Sequence, residues 1–301
     1  MKVGIDLGGS HIAIGVVGEN GRIIEKQERR ILDKEKQEIK TFIEEYIIKN
    51  IKEMSKKYKI TNIGIAIPGT VSKTSVIKSV NLNLENYNIV EALKKKINIP
   101  IKIKNDAKCA ALAENKYGSL KDYKRSIFIG LGTGIGGAVI VDDKLLDTGD
   151  LPGCEIGHMI IQKDGLECKC GKKGCFEKYA SMKAFKTNLR KELNLDEKTR
   201  GEELLNILRN NNENNKNYKK IEKVINDYIE YLSIGISNLI NIFEPEAIVI
   251  GGSFVYFEDV LLNRLYKKII EGNLLFNKRD SLIIKLAVLG NDAGIIGASL
   301  L

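Results

Sequence analysis

Apolar residues in the first thirty positions fall in short continuous or alternating runs rather than at helical spacing. Residues 3–7 and 12–17 read as strands joined at Gly8-Gly9. After the turn signal Gly18-Glu19-Asn20-Gly21, residues 22–28 supply the third strand of a meander. The period then changes. Phe42, Ile43, Tyr46, Ile47, Ile51 and Met54 line one face of a helix over 39–54. An apolar strand over 63–67 stops at Pro68-Gly69, 89–97 reads as a helix, and 99–103 reads as a strand. A helix over 107–117 is then ended by Gly118.

The same order restarts further on. Residues 127–131 form a strand, Gly132-Thr133-Gly134 a turn, and 136–141 a second strand closing at Asp142-Asp143. A long helix over 221–243 carries Val224, Ile225, Tyr228, Leu232, Ile236 and Leu239 on one side. The buried strand 247–250 ends at Gly251-Gly252, and a helix and a strand over 282–288 follow. Repetition of strand, glycine turn and strand predicts two similar α/β lobes facing one another across a cleft. The expected boundaries are 1–118 for the N-terminal lobe and 119–290 for the C-terminal one, with 291–301 packing back on the first. The Asn-rich stretch 210–217 is a surface loop.

Length and composition narrow the partners. At 301 residues the chain suits two domains, each large enough for a core without disulfides. Forty-eight Lys and Arg against 39 Asp and Glu give a formal charge of +9, which raises the question of nucleic acid. The lysines, however, alternate with acids, as in Lys34-Glu35-Lys36, and there is no Trp for base stacking. No nucleic-acid partner is expected. No run of about 18 apolar residues is present, so no membrane span is expected. Asp6 and the glycines after it interrupt any signal-peptide core, which predicts a cytoplasmic protein. Three of five cysteines within eight positions then point to metal rather than disulfides.

Candidate chemistry sits at the turns. Gly8-Gly9-Ser10 after Asp6, and Gly132-Thr133-Gly134, each let backbone N–H groups approach phosphate oxygens. Either alone reads as a plain hairpin turn; one in each lobe favours phosphate. Gly251-Gly252 could add a wall for an adenosine. Asp6 could orient Mg2+ through water. Asn105-Asp106 stands where a strand becomes a helix, and on spacing alone Asp106 reads as an N-cap. His158, Cys168, Cys170 and Cys175 offer one imidazole and three thiolates, the donor set of a closed tetrahedral Zn2+ site. Gly165, Gly171 and Gly174 would supply its tight turns. Glu155 and Glu177 bracket the cluster. Cys109 belongs to a helical core face.

Together these segments resemble the ROK family (repressors, open reading frames, kinases) of the actin-like sugar-kinase superfamily. Asp6-Leu7-Gly8-Gly9 resembles its first phosphate loop, and Leu131 to Gly137 its second. Asn105-Asp106-Ala107 resembles the segment that carries the catalytic aspartate. Glu155-Ile156-Gly157-His158 and the Cys168 to Glu177 segment resemble its sugar and zinc signatures. The resemblance implies two actin-like, ribonuclease H-like lobes with a zinc-binding segment over 155–177. It implies Asp106 as catalytic base, and sugar contacts from Gly69, Asn105, Asp106, Glu155, His158 and Glu177. It departs at Ser10-His11, where the family has Thr followed by Lys or Asn. It departs again near Asn81 to Tyr87, where family glucokinases carry a Trp and Tyr87 at best stands in.

The expected activity is transfer of the ATP γ-phosphoryl group to a hexose 6-hydroxyl, with glucose first and N-acetylmannosamine, fructose or allose behind. The expected partners are sugar, ATP, Mg2+ and Zn2+, with a homo-oligomer, dimer or tetramer, as the assembly. A sugar-sensing repressor of the same family is the rival. It requires a helix-turn-helix segment before the first loop, whereas Asp6 stands nearly at the start.

Overall fold

In the computed structural model, which describes residues 1–146, 153–272, 274–276 and 282–301, the N-terminal meander consists of β1 (Lys2–Leu7), β2 (His11–Val17) and β3 (Ile23–Arg30). Val3, Ile5, Leu7, Ile12 and Ile14 are all fully buried. A strand covered on both faces reads as a continuous apolar run, as here. β4 (Asn62–Ile67) pairs with β1 in parallel. The short strands β5 (Thr70–Val71), β6 (Val76–Ser79) and β7 (Leu84–Tyr87) form a small sheet of their own. β8 (Ile101–Asn105) then pairs with β4 in parallel, giving the order β3-β2-β1-β4-β8.

The second large sheet is built from β9 (Arg125–Leu131), β10 (Ile135–Val141), β11 (Lys144–Leu145), β12 (Ala247–Gly252) and β13 (Ile283–Leu286), in the order β11-β10-β9-β12-β13. β9, β12 and β13 run parallel, as β1, β4 and β8 do. Strand for strand the two orders coincide, so the repetition along the sequence is a repetition of topology. The chain divides into two compact units. One comprises Met1–Tyr123, Ile140–Cys154 and Val288–Leu301; the other comprises Lys124–Val139 and Glu155–Ala287.

In the first unit, helix Ile39–Ser55 buries Ile39, Ile43, Ile47, Ile51 and Met54. Phe42 and Tyr46, placed on the same face by spacing, lie at its edge. There the Arg29 guanidinium covers their rings at 5.0 and 5.7 Å from the centroids. The last helix, Ala293–Ser299, lies directly on β1 and β4. A Cβ on Gly4 would fall 1.8 Å from the carbonyl oxygen of Ile295, and one on Gly64 1.7 Å from that of Ala298. Only glycine permits backbones to approach so closely. Buried Glu114 ties down the entry to this helix. One carboxylate oxygen accepts from the N–H groups of Val288 and Leu289 at 3.0 and 2.9 Å, the other from Ser119 at 2.7 Å. These bonds satisfy backbone donors that no strand or helix uses.

In the second unit, helix Tyr218–Phe243 buries all six residues expected of its apolar side. It ends at Glu244 in the left-handed conformation, whose N–H donates to Ile240. Helices Met182–Glu192 and Gly201–Arg209 complete the covering of that helix and its neighbours. Among the described residues no helix is long and apolar enough to cross a membrane.

Candidate functional site

Parallel sheets offer ligands the carboxyl ends of their strands. In the first unit Asp6 is the penultimate residue of β1, Pro68-Gly69 follows β4, and Asn105 ends β8 with Asp106 next. The pairings Asp6↔Ala66 and Ile67↔Asn105 bring these three ends into one row. The N-cap of the following helix is Asn105 rather than Asp106: the Asn105 Oδ1 accepts from the N–H groups of Ala107 and Lys108 at 3.0 and 3.3 Å. Its Nδ2 donates to the Gly69 carbonyl at 3.0 Å, fixing the two segments together. Asp106 is thereby the first helical residue, with Oδ1 accepting from Ala107 N–H at 2.8 Å.

Burial raises the Asp106 carboxyl above the ordinary range, against the lowering effect of its backbone hydrogen bonds. Burial also raises Asp6, to about 7, with the negative charges of Asp106 and Glu28 adding to the rise and Lys26 opposing it. A buried carboxyl whose charge a second carboxyl disfavours is a candidate position for a cation or a proton. The folded Asp6 holds its proton up to about pH 7, whereas the unfolded residue loses it near 3.8, so its contribution falls as pH rises between those values. Asp6→Asn is therefore expected to raise the thermal midpoint at pH 8 by several degrees, at about 2–4 °C per kcal/mol, and by much less at pH 5. Thermal melts at the two pH values check this. An equal gain at both would remove the charge argument.

The two glycine turns share a feature. Among the described residues, the N–H groups of Gly9, Ser10, Thr133 and Gly134 donate to no protein acceptor, and Ser10 and Thr133 are exposed. Adjacent unbonded N–H groups form an anion-binding concavity. At the first turn the His11 ring lies over Gly8, with Cε1 2.7 Å from where a Gly8 Cβ would stand. The Gly8 N–H donates to the His11 carbonyl at 2.9 Å. At the second turn Gly132 donates to the Gly134 carbonyl at 3.0 Å. Gly252 pairs with Leu131, which brings the Gly251-Gly252 end of β12 beside this turn. Tyr87 is not available as a surface ring. It is buried, its hydroxyl donates to Glu44 at 2.7 Å, and Lys40 lies 5.3 Å from its centroid.

His158, Cys168, Cys170 and Cys175 come together in the second unit, with ligand atoms all within 4.8 Å of one another. His158 Nδ1 stands 3.7 Å from Cys168 Sγ, and Cys170 Sγ 3.5 Å from Cys175 Sγ. A tetrahedral zinc with its usual bond lengths separates such atoms by about 3.5–3.8 Å, so the set fits zinc. Burial pushes the Cys168 thiol up to about 12, with hydrogen bonds to Cys170, Glu177 and Cys175 adding to the rise. Against the effect of burial, hydrogen bonds to the Lys172 backbone and the neighbouring thiols hold the exposed Cys170 thiol below its ordinary value. Bridges Ile160↔Cys175 and Glu167↔Lys173 shape the loop. Gly171 and Gly174 turn it at φ 89° and 79°. Gly165 closes a turn, its N–H donating to the Gln162 carbonyl at 3.3 Å, and it leaves room for the Tyr179 hydroxyl, which would stand 2.0 Å from a Cβ. Glu155 is exposed, and its carbonyl accepts from the His158 N–H at 3.0 Å. Glu177, at the start of a short helix, places Oε1 3.3 Å from Cys168 Sγ. Cys109 is fully buried against Ala66 and Ala298, in the core as expected.

Sequence reasoning missed Glu114 and the small sheet β5-β6-β7. An acid in an Ala-rich helix and three strands of two to four residues carry almost no periodic signal.

Known proteins are similar to this chain over nearly its whole length. A xylose repressor of Bacillus subtilis is 27% identical over 300 residues, spanning 99% of this chain and 76% of the repressor. A glucokinase of Thermotoga maritima is 27% identical over 314 residues, spanning 99% and 95%. The crystal structure of a ROK hexokinase from Thermus thermophilus matches with a TM-score of 0.80 at 26% identity, over 100% of this chain and 97% of that one. The family model of ROK matches residues 2–301, nearly the whole length, and the chain belongs to the ROK family.

Proposed function

We propose that this chain is an ATP-dependent hexose kinase acting on the sugar 6-hydroxyl, with glucose as its first substrate. The observation that carries the reading is the pair of carboxyls Asp6 and Asp106, raised by burial at the carboxyl ends of β1 and β8, the two parallel strands on either side of β4. Asp106 takes the proton of the 6-hydroxyl as that oxygen attacks the γ-phosphorus. The new O–P bond forms while the bond to the bridging oxygen of ADP breaks, and the proton ends on Asp106. A carboxylate with a raised pKa is the stronger base once ionised, which suits the step.

The unbonded N–H groups of Gly9, Ser10, Thr133 and Gly134, in the two glycine turns, supply phosphate contacts. Gly251 and Gly252 line the adenosine side. Asp6 would hold magnesium through water, and that ion would offset charge developing on the phosphates. Sugar contacts come from Gly69, Asn105, Asp106, Glu155, His158 and Glu177. Asn105 has one amide hydrogen left after its bond to Gly69, and such a donor suits a hydroxyl oxygen. Glucose is placed first because the Thermotoga maritima relative is a glucokinase.

The xylose repressors among the relatives support a second reading, a sugar-sensing regulator that binds a sugar without phosphorylating it. A coupled ADP-release assay over glucose, N-acetylmannosamine, N-acetylglucosamine, mannose, fructose and allose separates the two. Sugar-dependent ADP release with a hexose is expected. Sugar binding without ADP release across the panel would transfer the assignment to the regulator.

A further inference from the structure

Glu177 touches two things at once. Its Oε1 lies 3.3 Å from Cys168 Sγ and 4.0 Å from His158 Nδ1, inside the metal-ligand cluster. Its Oε2 lies 2.6 Å from where a Gly134 Cβ would stand, so the same carboxylate rests on the second glycine turn. We propose that Glu177 is a positioning residue through which the Cys3His metal centre orders the Gly132–Gly134 turn, so that metal and nucleotide strengthen each other's binding. The proposal rests on the reading of that turn as a phosphate site.

Three further contacts make the turn and the metal segment one body. Gly157, in the short helix that ends at His158, packs so closely that its Cβ would fall 2.1 Å from the Ile135 carbonyl oxygen. Ile156 Cδ1 occupies the space beside Gly137, 2.2 Å from a Cβ there. The Lys183 N–H donates to the Gly132 carbonyl at 3.1 Å, linking the turn to the helix that follows Glu177. Ile135 and Gly137 belong to β10, which begins where the turn ends.

The protein itself holds the loop that carries Cys168 and Cys170 by a few backbone bonds, thiol contacts, the bond from Lys172 to the His158 carbonyl and the exposed Lys173–Glu167 pair. A metal bound by four donors fixes that loop, and with it the start of the Glu177 helix two residues beyond Cys175. The ordering cost is then met before nucleotide arrives, which gives positive coupling without any change of fold. By reciprocity the occupied turn raises the equilibrium affinity for the metal by the same factor.

Gly134 offers a test from the opposite side of the contact. Gly134→Ala directs a methyl at Glu177 Oε2, and the flexible carboxylate must move. Gly132→Ala, in the same turn, meets nothing within 4 Å and serves as control. Zinc transfer from the zinc-loaded protein to a chromophoric chelator is expected to run at least about 5-fold faster in Gly134→Ala, and within about 2-fold of wild type in Gly132→Ala. Equal rates in the two variants would overturn the coupling.

Calorimetric titration with the non-hydrolysable ATP analogue AMPPNP, without sugar, gives the second readout. Zinc-loaded wild type is expected to bind it at least about 5-fold more tightly than zinc-stripped protein, and Glu177→Gln to reduce that ratio to about 2-fold or less. A ratio of one in wild type, or an undiminished ratio in Glu177→Gln, sinks the proposal. Failure of both loaded and stripped protein to bind the analogue overturns the phosphate-turn reading itself, and the coupling with it.

Discussion

Asp106→Asn is expected to lower turnover by on the order of 100-fold to 10,000-fold, the contribution of a positioned general base. The replacement keeps the shape of the side chain and can still receive the Ala107 N–H that now bonds to Oδ1. It cannot take the proton of an attacking hydroxyl. The helix behind it survives, because Asn105 and not Asp106 accepts from the N–H groups of Ala107 and Lys108 as N-cap. Fold stability therefore holds or rises, since a carboxyl that burial drives toward its neutral form has been replaced by a neutral group. Steady-state kinetics with sugar and ATP, paired with thermal melts, separate the two effects. Lost turnover with an intact melt and a sugar KM changed by no more than a few-fold is the expected pattern. Near-normal turnover would remove Asp106 from the chemistry and leave the carboxyl pair as a structural feature. The pH profile adds a constraint. In wild type, kcat/KM should fall on the acid side with an apparent pKa above the ordinary carboxylate range, and the value belongs to the Asp6–Asp106 pair rather than to either residue.

The large sheets were legible because their strands are buried on both faces, which compels continuous apolar runs such as residues 12–17. The repeated strand order was legible for the same reason, with the glycine turns as punctuation. Local capping was not. The choice between Asn105 and Asp106 as N-cap depends on a backbone angle and on the Gly69 carbonyl, which lies 36 positions away in the chain. The metal cluster was legible because its ligands are few and chemically distinctive, and the folded loop needs only turns within 158–175 to bring them together. The second contact of Glu177 was not, because nothing local connects it with Gly134, 43 positions earlier. Tyr87, which at best stands in for the Trp of family glucokinases, donates its hydroxyl to Glu44 and packs its ring into the core, and no local pattern marks either contact.

Loss of the metal should have the other large effect, and Cys175→Ser is the change that exposes it. Cys175 is fully buried, and its sulfur faces Cys170 at 3.5 Å. A serine hydroxyl there is a poor zinc ligand, and it leaves a polar group buried beside thiols that must then hold their own protons. The wild-type protein is expected to carry one zinc per chain and the variant far less, by elemental analysis of freshly purified material. Sugar affinity should fall by about 10- to 100-fold, the scale seen when groups oriented by a metal site lose their support. His158 is itself a candidate ligand, and Glu177 abuts Cys168, so both lose a fixed position together. Nucleotide affinity should fall by a smaller factor, because the phosphate turn at Gly8-Gly9-Ser10 belongs to the first unit and does not depend on the cysteines. Cys170 stands at the exposed edge of the cluster, so Cys170→Ser should release zinc with a smaller loss of thermal stability than Cys175→Ser. Wild-type protein that is zinc-free yet binds sugar as tightly as after zinc addition would overturn the structural role of this cluster. The assignment of phosphoryl transfer to Asp106 would still stand, because its support lies in the first unit alone.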